Sequence, residues 1–144
     1  MPMKKAPLVI GWIEHVSLPE LSLPNIRAKI DTGARTSALH ATEITPFQKD
    51  GELWVRFVAQ LHDEAPNVRV ETPIYDIRHI KNTGGIPEER IVIRAALHIA
   101  GQSWPISVSL TDRSKMRFPM IVGRTALKKH NIAVHTHRTN LTAN

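Results

Sequence analysis

Apolar and polar positions alternate along much of this chain, with the period of two that a strand buried on one face requires. The clearest run is Glu52 to Leu61, where Leu53, Val55, Phe57 and Ala59 share one face and Trp54, Arg56, Val58 and Gln60 the other. Ile26, Ala28 and Ile30 alternate in the same way with Arg27, Lys29 and Asp31. Further strands are predicted over Leu8 to Glu14, Ser37 to Ile44, Val68 to Tyr75 with an interruption at Pro73, Arg90 to Ile99, and Ile132 to Val134. Leu18 to Pro24 reads as a loop, because each proline removes a donor from any ladder. Gln48-Lys49-Asp50-Gly51 carries the Asp-Gly hairpin signal, and His62 to Asn67 reads as a polar loop. Thr125 to His130 reads as one short helix that ends near Asn131, and no helix longer than a few turns is evident. The pattern is that of a single mostly β domain.

Composition narrows the chemistry. At 144 residues with 42% apolar content, the chain is long enough to bury a real core. It has no cysteine, which excludes disulfides, thiolate zinc sites and a cysteine nucleophile. Nineteen Lys and Arg against thirteen Asp and Glu give a net charge of +6, a field that steers acidic partners. Nucleic acid is the weaker partner reading: the basic residues are scattered, and Trp12, Trp54 and Trp104 sit in apolar strand patterns that assign them to the core. The apolar run Leu8 to Ile13 is too short for a signal-peptide core and no stretch is long enough to span a membrane, so no membrane association and a cytoplasmic location are expected. Eight histidines invite a zinc reading. Yet no His-Glu-x-x-His occurs, and the loose clusters His135-x-His137 and His62-Asp63-Glu64 read as solvated side chains. His40 is the histidine to test first; no metal or other cofactor is expected.

Candidate chemistry concentrates at Asp31-Thr32-Gly33-Ala34, at the end of the Ile26 to Asp31 strand. Thr32 can donate and accept a hydrogen bond beside the carboxylate, Gly33 lets the backbone turn sharply, and Ala34 keeps the turn uncrowded. Asp, Thr and Gly are also ordinary turn residues, so a plain turn cap is the competing reading. An apolar strand running into Asp-Thr-Gly resembles the way aspartic peptidases present their catalytic acid. Downstream, Met120 to Leu127 resembles the apolar-apolar-Gly-Arg strand and helix start of retropepsins, in the right order, and the match spans about residues 24 to 136.

The resemblance narrows further. Gly11-Trp12, Leu18 to Leu21, Ala28 to Ala41, Leu110 to Arg113 and Phe118 to Arg124 together are similar to the RimB-like bacterial family labelled ATP-dependent zinc proteases, a label that misstates the mechanism. Its members occur near, or fused to, RimK-type ATP-grasp ligases that add glutamate tails to a ribosomal protein. The resemblance implies a closed retropepsin-like (acid protease) barrel over residues 1–144, with its core at about 24–136 and one short C-terminal helix. It implies an aspartic peptidase with Asp31, Thr32 and Gly33 catalytic, Ala34 and Arg35 on substrate, and Gly123, Arg124 and Asp112 as structural support. With one Asp-Thr-Gly per chain, the second acid would come from another copy, as a homodimer. The implied substrate is an acidic peptide or glutamate-tailed protein, with a RimK-type ligase as associate. Asn82 to Pro87, with Gly84 and Gly85, is the flap candidate or a plain surface hairpin, and residues 52–80 exceed a viral enzyme's length by an extra hairpin.

One departure stands out. Viral retropepsins carry an acid after Asp-Thr-Gly-Ala that pairs with the arginine of Gly-Arg; here that position is Arg35, which leaves Asp112 as the nearest acid for Arg35 or Arg124. Arg35 beside the turn suits acidic substrate side chains or a structural ion pair. Two other functions stay open: a non-catalytic module that binds acidic partners on the same fold, and a zinc-dependent hydrolase.

Overall fold

A computed structural model describes residues 6–61, 67–81, 84–112 and 117–142, the side chains of Ile80 and Lys81 excepted. Eleven strands form among them: β1 (Leu8–Ile10), β2 (Ile13–Leu18), β3 (Leu23–Asp31), β4 (Ser37–Lys49), β5 (Glu52–Ala59), β6 (Val68–Pro73), β7 (Asp76–Lys81), β8 (Pro87–Ile99), β9 (Gln102–Thr111), β10 (Met120–Gly123) and β11 (Ile132–Val134). Six of them close on themselves in the order β10-β3-β2-β8-β9-β4, because β10 bonds β3 on one side and β4 on the other. This is the closed, mostly β barrel expected. β5 and β6 extend from the outer half of β4 as an antiparallel hairpin, the extra hairpin foreseen within residues 52–80, and β7 pairs the first half of β8.

The alternation sets which side chains fill the barrel. Ile26, Ala28 and Ile30 are buried while Arg27, Lys29 and Asp31 are not. In β5 the inward face is Val55, Phe57 and Ala59, whereas Leu53 near the strand start is exposed. The Asp-Gly turn forms as expected, with Asp50 at φ 52° and Gly51 at φ 79° between the paired Lys49 and Glu52. That left-handed pair matches strand twist.

Several boundaries differ from the expectation. The first strand is two strands, β1 and β2, broken at Gly11. There the backbone of the C-terminal segment crosses so closely that a Cβ on Gly11 would lie 2.7 Å from the Arg138 carbonyl. The loop over Leu18 to Pro24 is shorter than predicted: Pro19–Leu21 makes a single 3-10 turn with proline at its start, and β3 begins at Leu23, with Pro24 beside a register shift where no donor is needed. The helix over Thr125 to His130 does not form. Arg124–Ala126 is a 3-10 turn followed by turns, with Leu127 and His130 amides donating to carbonyls three residues back, and Asn131 at φ 52° starts the return into β11. The segment is too short to repay helix nucleation.

Of the three tryptophans, Trp104 is in the core, its indole donating to the Ala126 carbonyl at 2.8 Å. Trp12 is half-buried against Phe118. Trp54 is half-buried on the outer face of β5, with Phe47 and the Lys49 ammonium on its ring. Strand alternation cannot tell a barrel's lumen from the shaded side of a protruding hairpin. The loop at His62 to Asn67 falls largely outside the described residues, as do His62-Asp63-Glu64 and Arg113.

Glu14 is fully buried on β2. Its Oε2 accepts the Gly11 amide at 2.6 Å and the Leu141 amide at 2.8 Å; its Oε1 accepts the Thr142 hydroxyl at 2.7 Å and the Thr142 amide at 3.3 Å. With Trp12 donating to Arg138 and Asn140 to Ile13, this carboxylate straps residues 135–142 across the start of the barrel.

Candidate active site

Asp31 is the last residue of β3, and the chain reverses at Thr32 and Gly33 to enter β4 at Ser37. The reversal is held from within: the Gly33 amide donates to Asp31 Oδ1 at 3.0 Å, and the Ala34 amide to the Asp31 carbonyl at 3.1 Å. The carboxylate is partly open, 30% exposed, with the Lys29 ammonium 3.9 Å from Oδ2. At that exposure the ion pair adds little stability. One oxygen is thus fixed by the turn while the other carries the Lys29 contact.

A clamp holds the turn from outside. β10 lies between β3 and β4, parallel to the first and antiparallel to the second, with Gly123 in register with Asp31. Gly123 passes against Thr36 so closely that a Cβ would meet the Thr36 carbonyl oxygen at 2.5 Å. Its amide donates to the buried Ser37 Oγ at 3.0 Å. The next residues finish the enclosure. The Arg124 amide donates to the Ala34 carbonyl at 2.8 Å and its guanidinium to the Gly33 carbonyl at 3.4 Å, while Thr125 Oγ1 donates to the Arg35 carbonyl at 2.7 Å. The carbonyls of Gly33, Ala34 and Arg35 therefore all end on the Gly-Arg-Thr segment.

An open cleft of about 720 Å³ adjoins the turn. Thr32, Arg35, Arg124, Thr125 and Lys128 give it a polar, basic side, and Leu127, Ile132 and Val134 an apolar one. The basic side suits carboxylates, and the apolar side accommodates an extended backbone.

The structure thus brings Asp31, Thr32, Gly33, Ala34, Arg35, Gly123 and Arg124 into one site. Asp112 does not join them: it is exposed, and among the described residues it pairs with neither arginine. Arg124 satisfies the Gly33 carbonyl instead, and Arg35 keeps an open guanidinium on the cleft. Gly84 and Gly85 sit at the exposed end of the β7–β8 hairpin, Gly85 at φ 76°, and do not line the described cleft. Sequence reasoning missed Ser37 and Thr125. The signal for Ser37 was a hydroxyl in phase with inward-facing Leu39 and Ala41; Thr125 carried none, since its partner is a carbonyl ninety positions away.

Among the described residues no three His, Asp or Glu side chains gather into a metal site. His40 sits half-buried on β4 with its amide on the Pro119 carbonyl. The His135 and His137 rings meet edge to face at 4.4 Å. His135 Nδ1 accepts the amides of His137 at 3.3 Å and Arg138 at 3.1 Å, a role open only to an unprotonated nitrogen. Loss of solvent around the ring, then the neighbouring His137 and Arg138, hold its pKa below the usual 6.5. No described helix is long and apolar enough to cross a membrane.

Comparison with known proteins agrees with the fold. The chain is 43% identical over 122 residues to a Parasynechococcus marenigrum protein named probable alpha-L-glutamate ligase, covering 83% of this chain and 26% of that one. A Shewanella pealeana protein of the same name is 37% identical over 128 residues, 86% of this chain and 28% of its own. The chain therefore spans about a quarter of the length of these curated relatives. A crystal structure of a Legionella pneumophila protein of unknown function superposes with a TM-score of 0.78 at 27% identity, covering 94% of this chain and 98% of that one. The family model described as RimB-like, retropepsin-like aspartic endopeptidase RimB, matches residues 9–143, and with nearly the whole chain inside that match the protein belongs to the RimB-like, retropepsin-like family.

Proposed function

We propose that the chain is an aspartic endopeptidase in which Asp31 supplies the acid–base group. The observation that carries this reading is the Asp31 carboxylate itself: one oxygen is bound by the Gly33 amide, the other meets the Lys29 ammonium at 3.9 Å and accepts no hydrogen bond among the described residues, and the turn beneath is fastened by Gly123, Arg124 and Thr125. A turn cap alone needs neither that clamp nor an adjoining cleft. Because each chain holds one Asp-Thr-Gly, the competent form is a homodimer whose two Asp31 carboxylates share a proton, one acting as base on water and the other as acid on the leaving amine. Thr32 steadies the carboxylate pair. Gly84 and Gly85 at the β7–β8 hairpin tip stand outside the described cleft and serve as the flap by closing over it when substrate binds.

The substrate is an acidic peptide, a glutamate tail on a ribosomal protein in particular, trimmed in the cytoplasm in association with a RimK-type ligase. Arg35 and Lys128 on the cleft, the net charge of +6, and relatives that bear the name of a glutamate ligase all support that choice. Arg35 acts as the fork for a substrate carboxylate.

The test is cleavage of glutamate-tailed peptides by wild type and by Asp31→Asn. Loss of the titrating group is expected to lower the rate by at least about 10²–10⁴-fold with the fold intact. Chelators leave the wild type unchanged, and specific activity rises with protein concentration as dimers form. An active Asp31→Asn, or a wild type stopped by chelation, would refute the mechanism.

A further inference from the structure

A second concavity, of about 260 Å³, opens between β8–β9 and the segment that follows the Arg124–Ala126 turn. Arg94, Ser107, Lys128, Lys129 and His130 line it, and no carboxylate is among its described lining residues. Its floor is rigid: the His130 ring stacks on Trp104 at 3.9 Å with a 16° tilt, and the Trp104 indole is tied to Ala126. Arg94 is held at its edge by a 3.2 Å bond to Ser107 Oγ, with its guanidinium 5.2 Å over Tyr75. Among the described residues no acid pairs with Arg94, Lys128 or Lys129. Three cationic side chains, Arg94, Lys128 and Lys129, therefore converge beside His130 on a concave surface without an internal counter-charge among the described residues.

This concavity and the cleft beside Thr32 share two residues, Thr125 and Lys128. A chain lying in the first cleft can thus continue into the second without leaving the protein surface. We propose that the Arg94–Lys129–His130 concavity is an exosite that binds carboxylates of an acidic peptide at a distance from the scissile bond, so that long acidic chains are held better than short ones. The inference rests on the peptidase reading for its substrate, and it adds a place and a length dependence to it. An acidic peptide fits better than single-stranded nucleic acid. Trp104, the indole in the concavity's lining, is buried with His130 on one face and offers a base no surface to stack on. The planar fork of Arg94 and the ammonium groups of Lys128 and Lys129 match carboxylates along a flexible chain.

The test uses full-length Asp31→Asn protein, so that binding is read without turnover. The probe is a fluorescein-labelled oligo-glutamate of about ten residues, which at about 3.3 Å per residue is long enough to span both concavities. Fluorescence anisotropy gives its affinity. Lys129→Glu in this background is expected to weaken binding about fivefold, an effect that fades with added salt. Lys49→Glu, the same charge change on the β4–β5 hairpin, leaves it unchanged, as does Lys129→Glu for a short glutamate peptide that fills the first cleft alone. Equal losses from Lys129→Glu and Lys49→Glu would reduce the effect to the general field and overturn the site. So would an oligo-glutamate that does not bind, or a single-stranded oligonucleotide of matched charge that binds more tightly through Lys129. Lys129-dependent binding by a protein whose wild type hydrolyses nothing would uphold the site and refute the peptidase.

Discussion

Replacing Glu14 tests whether the strap across the barrel's start is held as tightly as its geometry implies. The carboxylate is fully buried and accepts four hydrogen bonds, two on each oxygen. Glu14→Ala leaves the buried Gly11 amide without a partner, at about 2 kcal/mol, and removes three partly buried bonds worth about 0.5–1 kcal/mol each. The expected loss is about 4 kcal/mol, a large part of the roughly 5–15 kcal/mol that holds a domain together. Glu14→Gln keeps the shape and loses less. With its oxygen on Gly11 and Leu141, its NH₂ donates to the Thr142 hydroxyl, which accepts as well as donates, and only the Thr142 amide at 3.3 Å loses its acceptor, so about 1 kcal/mol is lost. At about 3–4 °C per kcal/mol for a chain of this size, the melting midpoint falls by roughly 13 °C for Ala and 4 °C for Gln. Urea melts of the three proteins give the free energies, and amide exchange at residues 139–142 shows whether the strap loosens first. A Glu14→Ala protein within about 1 kcal/mol of wild type would show that the four bonds are not all made at once.

Other outcomes follow from the same contacts. Gly123→Ala places a methyl against the Thr36 backbone and is expected to cost about 3 kcal/mol and to unseat the Asp31 turn, read as a lowered melting midpoint with lost hydrolysis. Ser37→Ala orphans the buried Gly123 amide, with an expected loss of about 1–3 kcal/mol by urea melt and without any change in charge. His135 has a folded pKa below 6.5, so the unfolded chain takes up its proton first; its contribution is whole above pH 6.5 and is lost as pH falls through that value toward the folded pKa. Melting midpoints at pH 7.5 and 5.5 should therefore differ less in His135→Ala than in wild type.

The strands that carry the site were legible because their alternation is strict. Ile26, Ala28 and Ile30 had to face one way, which put Asp31 outward at a strand end before a glycine. The Asp50-Gly51 turn was legible for a similar local reason, its backbone needing positive φ at two positions. What escaped was contact between distant segments. Nothing near Gly11 announces that residues 138 and 139 press on it, and nothing near Glu14 names its partners at 141 and 142. The expectation that Arg124 would seek a carboxylate at Asp112 treated charge as the demand to be met, whereas the unsatisfied group was the Gly33 carbonyl. Trp54 was assigned to the core from its strand pattern, though the hairpin carrying it leaves the barrel.

The placement of β10 between β3 and β4 bears on how the molecule comes into being. Arg124 reaches Gly33 across 91 positions, and the parallel β3–β10 register joins segments equally far apart. Contacts of such separation are closed late, since the entropy of the intervening loop must be overcome before they return anything. A nascent chain that has delivered Asp31 and everything up to β9 still has no fastened turn, and the carboxylate stays unarmed until Gly123 arrives. The amides of Gly33 and Gly123 should accordingly gain protection from exchange together, in the last phase of refolding, and a chain truncated before β10 should keep its hairpins while losing the geometry at Asp31.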